Sequence, residues 1–377
     1  LISMKSDKTT PNVPTLRFKQ YHCPWSTYLL SDIAEVVGGG TPDTTVPSLW
    51  NGDIQWFTPT EVGHQKYVSK SARTITQLGL QKSSAKKLPA GSILLSSRAT
   101  IGDCSIAQRE CTTNQGFQNL IPKKDTNNEF LYYLVQTKKH HFIKYASGST
   151  FLEISNSEIR KTKCTVPGTE EQTQIAAFLS ALDDRIAVQN KIISKYETLI
   201  KGLCDMVFRH NKSVSLSDLV KCKTSALQEN MVSTCHRGEY KVLGASGAIA
   251  AIDTYQFEES GILVLKDGSK AGKIQFAQGK YSVVGTSVVL IPNEACDARY
   301  LYFAMSSIDF EKYKVGSGIP HIYFKDYSNE RIYYPEKSLR KRITEALDAY
   351  DIKVGIEKEM LSALQKQKAF LIKSMFI

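Results

Sequence analysis

The 377-residue sequence predicts an α+β protein made of two mixed, strand-rich segments, each followed by a long helix. An internal repeat, two matched heptad seams and short β-type runs between turn residues predict it. The repeat sets the frame, because a repeated unit fixes how the rest of a chain is read. Displaced by 170 residues, the sequence matches itself at Gly91/Gly261, Leu95/Leu265, Gly102/Gly272 and Ala107-Gln108/Ala277-Gln278. The matches continue at Leu120-Ile121-Pro122/Leu290-Ile291-Pro292, Leu131-Tyr132/Leu301-Tyr302, Lys144/Lys314 and Ser147-Gly148/Ser317-Gly318. These are thirteen identities across residues 91–148. Ordinary residue usage gives roughly three or four. The register then slips by two, and Pro167, Ile175, Leu179 and Phe208 fall on Pro335, Ile343, Leu347 and Phe376. The openings correspond too, Leu30-Ser31-Asp32-Ile33 with Leu216-Ser217-Asp218-Leu219, and the first copy carries an insertion before Gly91.

Each copy ends in a seam. The first runs through Ile175, Leu179, Leu182, Ile186, Gln189, Ile193, Tyr196, Ile200, Leu203 and Val207, in steps that alternate four and three. The second runs through Ile343, Leu347, Tyr350, Val354, Glu357, Leu361, Leu364, Lys368, Leu371 and Met375. Steps of four and three average 3.5 residues, the period of a coiled coil. The polar interruption falls at one place in both, Gln189 and Glu357. Such a residue lowers stability but fixes register. At 1.5 Å per residue each helix is roughly 58 Å long, a seam that only another long helix can bury, and an antiparallel pair is expected. Pro167-Gly168 marks the start of the first.

Between the helices lie β-type runs at Ser92–Leu95, Phe117–Ile121, Gly261–Leu265, Lys273–Ala277 and Ser287–Ile291, with short helices around Glu129–Tyr145 and Arg299–Tyr313. Glycine-containing corners recur at Arg98–Gly102 and Asp267–Gly272. Small residues there let the backbone approach a partner closely. Ser97, Arg98, Thr100, Lys266, Lys270 and Lys273 are the candidate phosphate and base contacts.

The 48 Lys and Arg against 37 Asp and Glu give a net charge of +11, which favours a polyanionic partner. The eight cysteines (23, 104, 111, 164, 204, 222, 235 and 296) form no CxxC pair and read as reduced thiols. No apolar run approaches the roughly 18 residues of a membrane helix, and no signal peptide is visible, so a cytoplasmic location is expected. Met4 reads as the natural start of the chain. Gly268–Ile274 only superficially resembles a phosphate loop, since it is one residue short and Ile274 replaces the required Ser or Thr. Gly38-Gly39-Gly40 precedes Thr41-Pro42 and not a helix, so it is no dinucleotide fingerprint. No HExxH, partnered GxSxG or amino-methyltransferase motif is present, and no catalytic or metal-binding residue is expected.

The sequence resembles the specificity subunits of type I restriction-modification systems. The resemblance rests on Leu30-Ser31-Asp32-Ile33, Gly-Gly-Thr-Pro (39–42), Trp-Asn-Gly-Asp-Ile (50–54) and Trp-Phe-Thr-Pro (56–59). It continues through Gly91–Arg98 with Ile101-Gly102, Thr113–Phe117, and the helix start Glu170-Glu171-Gln172 with Ile175-Ala176 and Leu179-Ser180. The second copy carries Gly316–Ile322 but lacks the Gly-Gly-Thr-Pro, Trp-Asn-Gly-Asp and Glu-Glu-Gln pieces.

The resemblance implies an N-terminal extension over 1–24, target-recognition domains over 25–167 and 210–335, and spacer helices over 168–209 and 336–377. Together these make a pseudo-twofold repeat with two antiparallel coiled-coil helices. It further implies that the chain reads a bipartite double-stranded DNA target and docks two modification subunits, which carry S-adenosylmethionine and methylate adenine. Motor-nuclease restriction subunits complete the complex, and the chain itself is not catalytic. Because the two sets of loops differ, the half-sites should differ. Readers on one face of B-DNA want half-sites about 34–36 Å apart. The competing readings are a coiled-coil adaptor without sequence-specific DNA binding and a self-sufficient methyltransferase or nuclease, which lacks its motifs here.

Overall fold

The computed structural model describes residues 2–4, 12–148, 152–209, 213–232, 238–294, 297–316 and 318–377. Cys235, Cys296 and Ser317 lie outside the described residues. The chain divides into two compact units, 1–188 with 361–377 and 189–360. The long helices are Thr169–Phe208 and Lys337–Met375. The first gives half of its length to each unit, and the second gives 337–360 to the second unit and 361–375 to the first.

In the first unit a five-stranded sheet has the order Ala34–Gly38, Gln118–Pro122, Ile93–Leu95, Cys104–Ala107 and Tyr67–Val68. All pairs are antiparallel except the last. The helix Asn128–Thr137, capped by the Asn127 side chain, packs on it. A second, three-stranded sheet has Trp50–Phe57 at its centre, between Thr112–Thr113 and Arg73–Ile75. There the Arg73 guanidinium lies 3.6 Å from the Trp50 ring centre, and Trp50 meets Trp56 edge-on.

The second unit repeats the main sheet as Val220–Thr224, Ser287–Pro292, Gly261–Leu265 and Ile274–Ala277, with the helix Ala298–Met305 on it. Strands fall within a residue or two of the β-type runs in the sequence. Gly261–Leu265 and Ser287–Pro292 are buried at every position. A continuous apolar run bounded by turns reads as such a strand.

The two long helices pack against each other within each unit. In the first, Ile175, Ala176 and Leu179 near the start of one helix share a core with Leu371, Met375 and Phe376 at the end of the other, so the helices run antiparallel there. In the second, Cys204 and Phe208 share a core with Leu347, again end with beginning. The terminal aromatics make repeat-equivalent contacts. Phe376 stacks on Phe130 at 5.1 Å and Phe208 meets Tyr300 edge-on at 5.6 Å. The two polar seam residues, both in the second unit, meet each other. Gln189 Nε2 donates to the Glu357 carboxylate and, at 3.0 Å, to its backbone carbonyl. Lys353 Nζ sits 2.6 Å from the other Glu357 oxygen. Lys353 and then Gln189 hold this carboxyl below the usual carboxylate range. A buried polar layer matched this way fixes which turns of two helices face each other.

The missing Glu-Glu-Gln of the second copy has a structural counterpart. In the first unit Gln172 Nε2 donates to the Pro167 carbonyl at 2.9 Å, and Gln172 Oε1 accepts from the Asn127 N–H at 3.0 Å. In the second, Arg340 takes the place of Gln172. It donates to the Pro335 carbonyl at 2.7 Å and through two nitrogens to Asp297, which takes the place of Asn127. One joint is built from neutral amides and the other from an ion pair.

Candidate nucleic-acid interface

The recurring corner is a tight connection between two antiparallel strands in each unit, Ile93–Leu95 to Cys104–Ala107 and Gly261–Leu265 to Ile274–Ala277. A strand-to-strand connection cannot be a phosphate loop, which needs a helix after it. In the first unit the Ser97 N–H donates to the Gly116 carbonyl and the Ser97 carbonyl accepts from Ile154 N–H, both at 2.9 Å. In the second, Lys266 does the same with Thr286 and Ile322, at 2.8 and 2.9 Å. The next residue but one has positive φ in both, Ala99 at 61° and Gly268 at 93°. Structurally, then, Ser97 corresponds to Lys266, one residue away from the 170-residue register of the sequence. A similar correction applies to the neighbouring hairpin. Ser147 bridges Glu153 and Val315 bridges His321, so Gly148 matches Gly316 and not Gly318. The slip in register therefore precedes Ser147.

This hairpin braces the corner. Ser97 Oγ donates to Glu153 at 3.3 Å, and His321 Nδ1 lies 2.8 Å from Asp267 Oδ1. Of the candidate contacts, Ser97 is fully buried and holds the loop. Thr100 is half-buried, with its hydroxyl on Ser96 at 3.2 Å. Arg98 is half-buried and its guanidinium makes no hydrogen bond or ion pair among the described residues. Lys266 pairs with Asp267 at 3.2 Å. Lys273 is exposed, with Nζ 3.3 Å from the Ala245 carbonyl. Lys270 is exposed, with no ion pair among the described residues.

A cleft runs beside each corner. In the second unit it measures about 630 Å³, and its charged lining residues are Lys201, Lys270, Lys273 and Lys314 together with Asp205, Asp309 and Glu311. In the first it measures about 620 Å³ and its charged residues, Lys139 and Asp103, pair with each other at 2.5 Å. In the second cleft Lys314 pairs with Glu311 at 2.6 Å, while Lys201, Lys270 and Lys273 make no ion pair among the described residues.

Four motifs scattered along the sequence converge on Arg98. Gly39 packs so tightly that a Cβ there would lie 1.9 Å from the Asn114 carbonyl oxygen. Gly40 N–H donates to the Thr113 carbonyl, and Trp56 Nε1 to the Gly40 carbonyl, both at 2.9 Å. Asn114 N–H donates to Phe57 at 3.0 Å, and Thr41 Oγ1 donates to Gln115. A Cβ on Gly116 would lie 3.0 Å from Arg98 Nε. Thr41, Asn114, Gln115 and Arg98 thus form one polar group, of which only Arg98 is singled out by sequence alone. The short spacing of Thr113–Gly116 after the corner was the available signal. Gln, Asn and Arg side chains are the ones that pair with base edges in two-point fashion.

Burial pushes the Cys104 and Cys111 thiols up to about 12 and Cys164 up to about 11. Among the described residues no group of three or more His, Cys, Asp or Glu side chains is placed to hold a metal ion, and no helix is long and apolar enough to cross a membrane.

Comparison with known proteins decides the family. The profile described as type I restriction modification DNA specificity domain matches twice, over residues 23–198 and 209–366. The chain belongs to this type I restriction-modification specificity family. The two matches coincide with the two copies of the repeat. Among family members, the chain is 41% identical over 178 residues to the MjaIX specificity subunit of Methanocaldococcus jannaschii, covering 45% of this chain and 41% of that protein. It is 29% identical over 175 residues to the EcoR124I/EcoR124II specificity subunit of Escherichia coli, covering 45% and 43%. The chain thus matches less than half the length of either relative. The EcoprrI specificity subunit of Escherichia coli is 20% identical over 85% of this chain and 86% of its own. The fold is shared with the S subunit of the M. genitalium type I system, with a TM-score of 0.61 at 15% identity over 97% and 99% of the two chains. It is also shared with a chain from a study of complex assembly in the type I R-M system, with a TM-score of 0.54 at 16% identity over 94% and 99%.

Proposed function

We propose that the chain reads a bipartite, asymmetric double-stranded DNA target, one half-site through each strand-rich domain, and docks two modification subunits through its long helices. The observation that carries the reading is one scaffold built twice with different chemistry at the same corner. Arg98, Gln115 and Asn114 stand at the first, and Lys266, Lys270 and Lys273 at the second. Two unlike readers on one chain make a target with unlike halves. In this reading the chain is the non-catalytic, cytoplasmic specificity component. Adenine methylation and its S-adenosylmethionine belong to the modification subunits, and restriction subunits complete the assembly. Docking is supported by apolar side chains left open on the second long helix. Ile352, Ile356 and Met360 follow one another at four-residue spacing and are 62%, 51% and 44% exposed. An exposed apolar row on a helix marks a protein contact.

The corner residues make separable predictions. Lys270→Ala and Lys273→Ala should weaken binding almost equally on all sequences, each lowering the log–log salt slope by about 1. Arg98→Ala should instead relax discrimination at one position of one half-site, by about 1–3 kcal/mol. Fluorescence anisotropy of the chain assembled with its modification subunits, on specific and scrambled duplexes over a salt series, reads both. An unchanged slope in both lysine variants would remove the second cleft from the interface.

A further inference from the structure

The two copies treat one surface in opposite ways. In the first unit the groove formed by Glu171, Gln174, Ile175 and Phe178 of the first long helix with Leu371 and Met375 of the second is covered by the segment before the first domain. Leu16 and Phe18 are buried in that core, and Phe18 meets Phe178 edge-on at 5.9 Å. Between them Arg17 pairs with Glu171 at 2.7 Å, and Gln20 donates to Gln174 at 2.7 Å. The segment is an apolar–cation–apolar strap with its cation matched by an anion of the groove.

The repeat-equivalent surface of the second unit is open. Leu203, Val207, Leu339, Arg342, Ile343, Ala346, Leu347 and Tyr350 line a groove of about 290 Å³, and at the 168-residue offset these positions correspond to the covered ones. Tyr350, a seam residue, is 37% exposed for this reason. The opening follows from the repeat itself. What precedes the second domain is the end of the first long helix, which already forms one wall of the groove, so this helix cannot also serve as a strap there.

Three substitutions define what fits. Leu339 stands where Glu171 stands, so the groove offers no anion. Arg342 stands where Gln174 stands and makes no hydrogen bond or ion pair among the described residues. Ala346 stands where Phe178 stands, leaving room for a large ring. The strap of a second copy does not fit, because it would bury Arg17 without a partner beside Arg342, and an unpaired buried charge is strongly disfavoured. We infer that the open groove of the second unit docks an extended segment of a partner protein that carries a carboxylate between two apolar side chains, at least one of them aromatic, the charge-inverted counterpart of the strap.

The inference is tested without any partner subunit, so its failure is distinct from failure of the DNA-reading proposal. The probe is a fluorescent peptide of residues 14–22 carrying Arg17→Glu, titrated with the full chain and followed by anisotropy, with the native 14–22 peptide as the comparison. The inverted peptide should bind roughly tenfold tighter than the native one. Arg342→Glu in the protein should reverse that order, and Ala346→Trp, at an exposed position that folding tolerates, should abolish binding of both. Equal affinities, no binding of the inverted peptide, or an order unaffected by Arg342→Glu would each overturn it.

Discussion

Glu171→Ala is expected to destabilise the first unit by about 3–5 kcal/mol. Arg17 and Glu171 are each almost wholly buried and joined by two hydrogen bonds, Nε to Oε1 at 2.7 Å and Nη2 to Oε2 at 2.8 Å. The same carboxylate accepts from Trp25 Nε1 at 3.4 Å. Removing it leaves a guanidinium in the core whose Nη1 already has no partner. Replacing both residues, Arg17→Met with Glu171→Met, removes the charge and keeps the volume, so this double variant should lie much closer to the wild type. Urea unfolding of the three proteins reads the difference as a shift in midpoint. A single variant as stable as the wild type would mean that the strap does not seal this core.

Removing one heptad from each long helix, 190–196 and the segment facing it across the antiparallel pair, 350–356, is expected to abolish methylation of the native target and create methylation at a target with the same half-sites and a shorter gap. Seven residues remove about 10 Å of helix, close to three base pairs at about 3.4 Å each. The cut preserves the seam, since Ile200 inherits the place of Ile193 and Leu347 that of Val354, and it leaves Gln189 facing Glu357. Removing four residues from each would rotate the seam off its partner and should cost folding. Mapping methyladenine in cells that carry the shortened chain with its modification subunit reads the outcome. Unchanged gap length would show that the helices do not set the spacing.

The parts legible in the sequence were those whose signal sums over many residues. Ten seam positions in each helix point the same way, so both helices and their antiparallel pairing are evident. Gln189 and Glu357 stand out as matched exceptions before their hydrogen bond is seen. The sheet runs Gly261–Leu265 and Ser287–Ile291 are legible because two-sided burial leaves an uninterrupted apolar stretch. Contacts that depend on a single distant pairing were not legible. Nothing local distinguishes Arg17 from other basic residues near the start of the chain, and only its contact with Glu171 gives it a role. Ser97 looks like a polar loop residue, yet a neighbouring hairpin buries it. Lys266 was set one residue out of register because the corner of the second copy is longer by one, which identity at Gly102 and Gly272 conceals. The group of Thr41, Asn114 and Gln115 around Arg98 joins Thr41 to residues more than fifty positions later in the sequence, and no period connects them.

The most direct test of the central claim is a genome-wide map of methyladenine in cells carrying this chain with its modification subunit, set against cells lacking only this chain. The account predicts that a split motif with two unlike halves and a fixed gap disappears with the chain. Unchanged methylation, or loss of a short unsplit motif, would contradict the two-reader account and favour a coiled-coil adaptor.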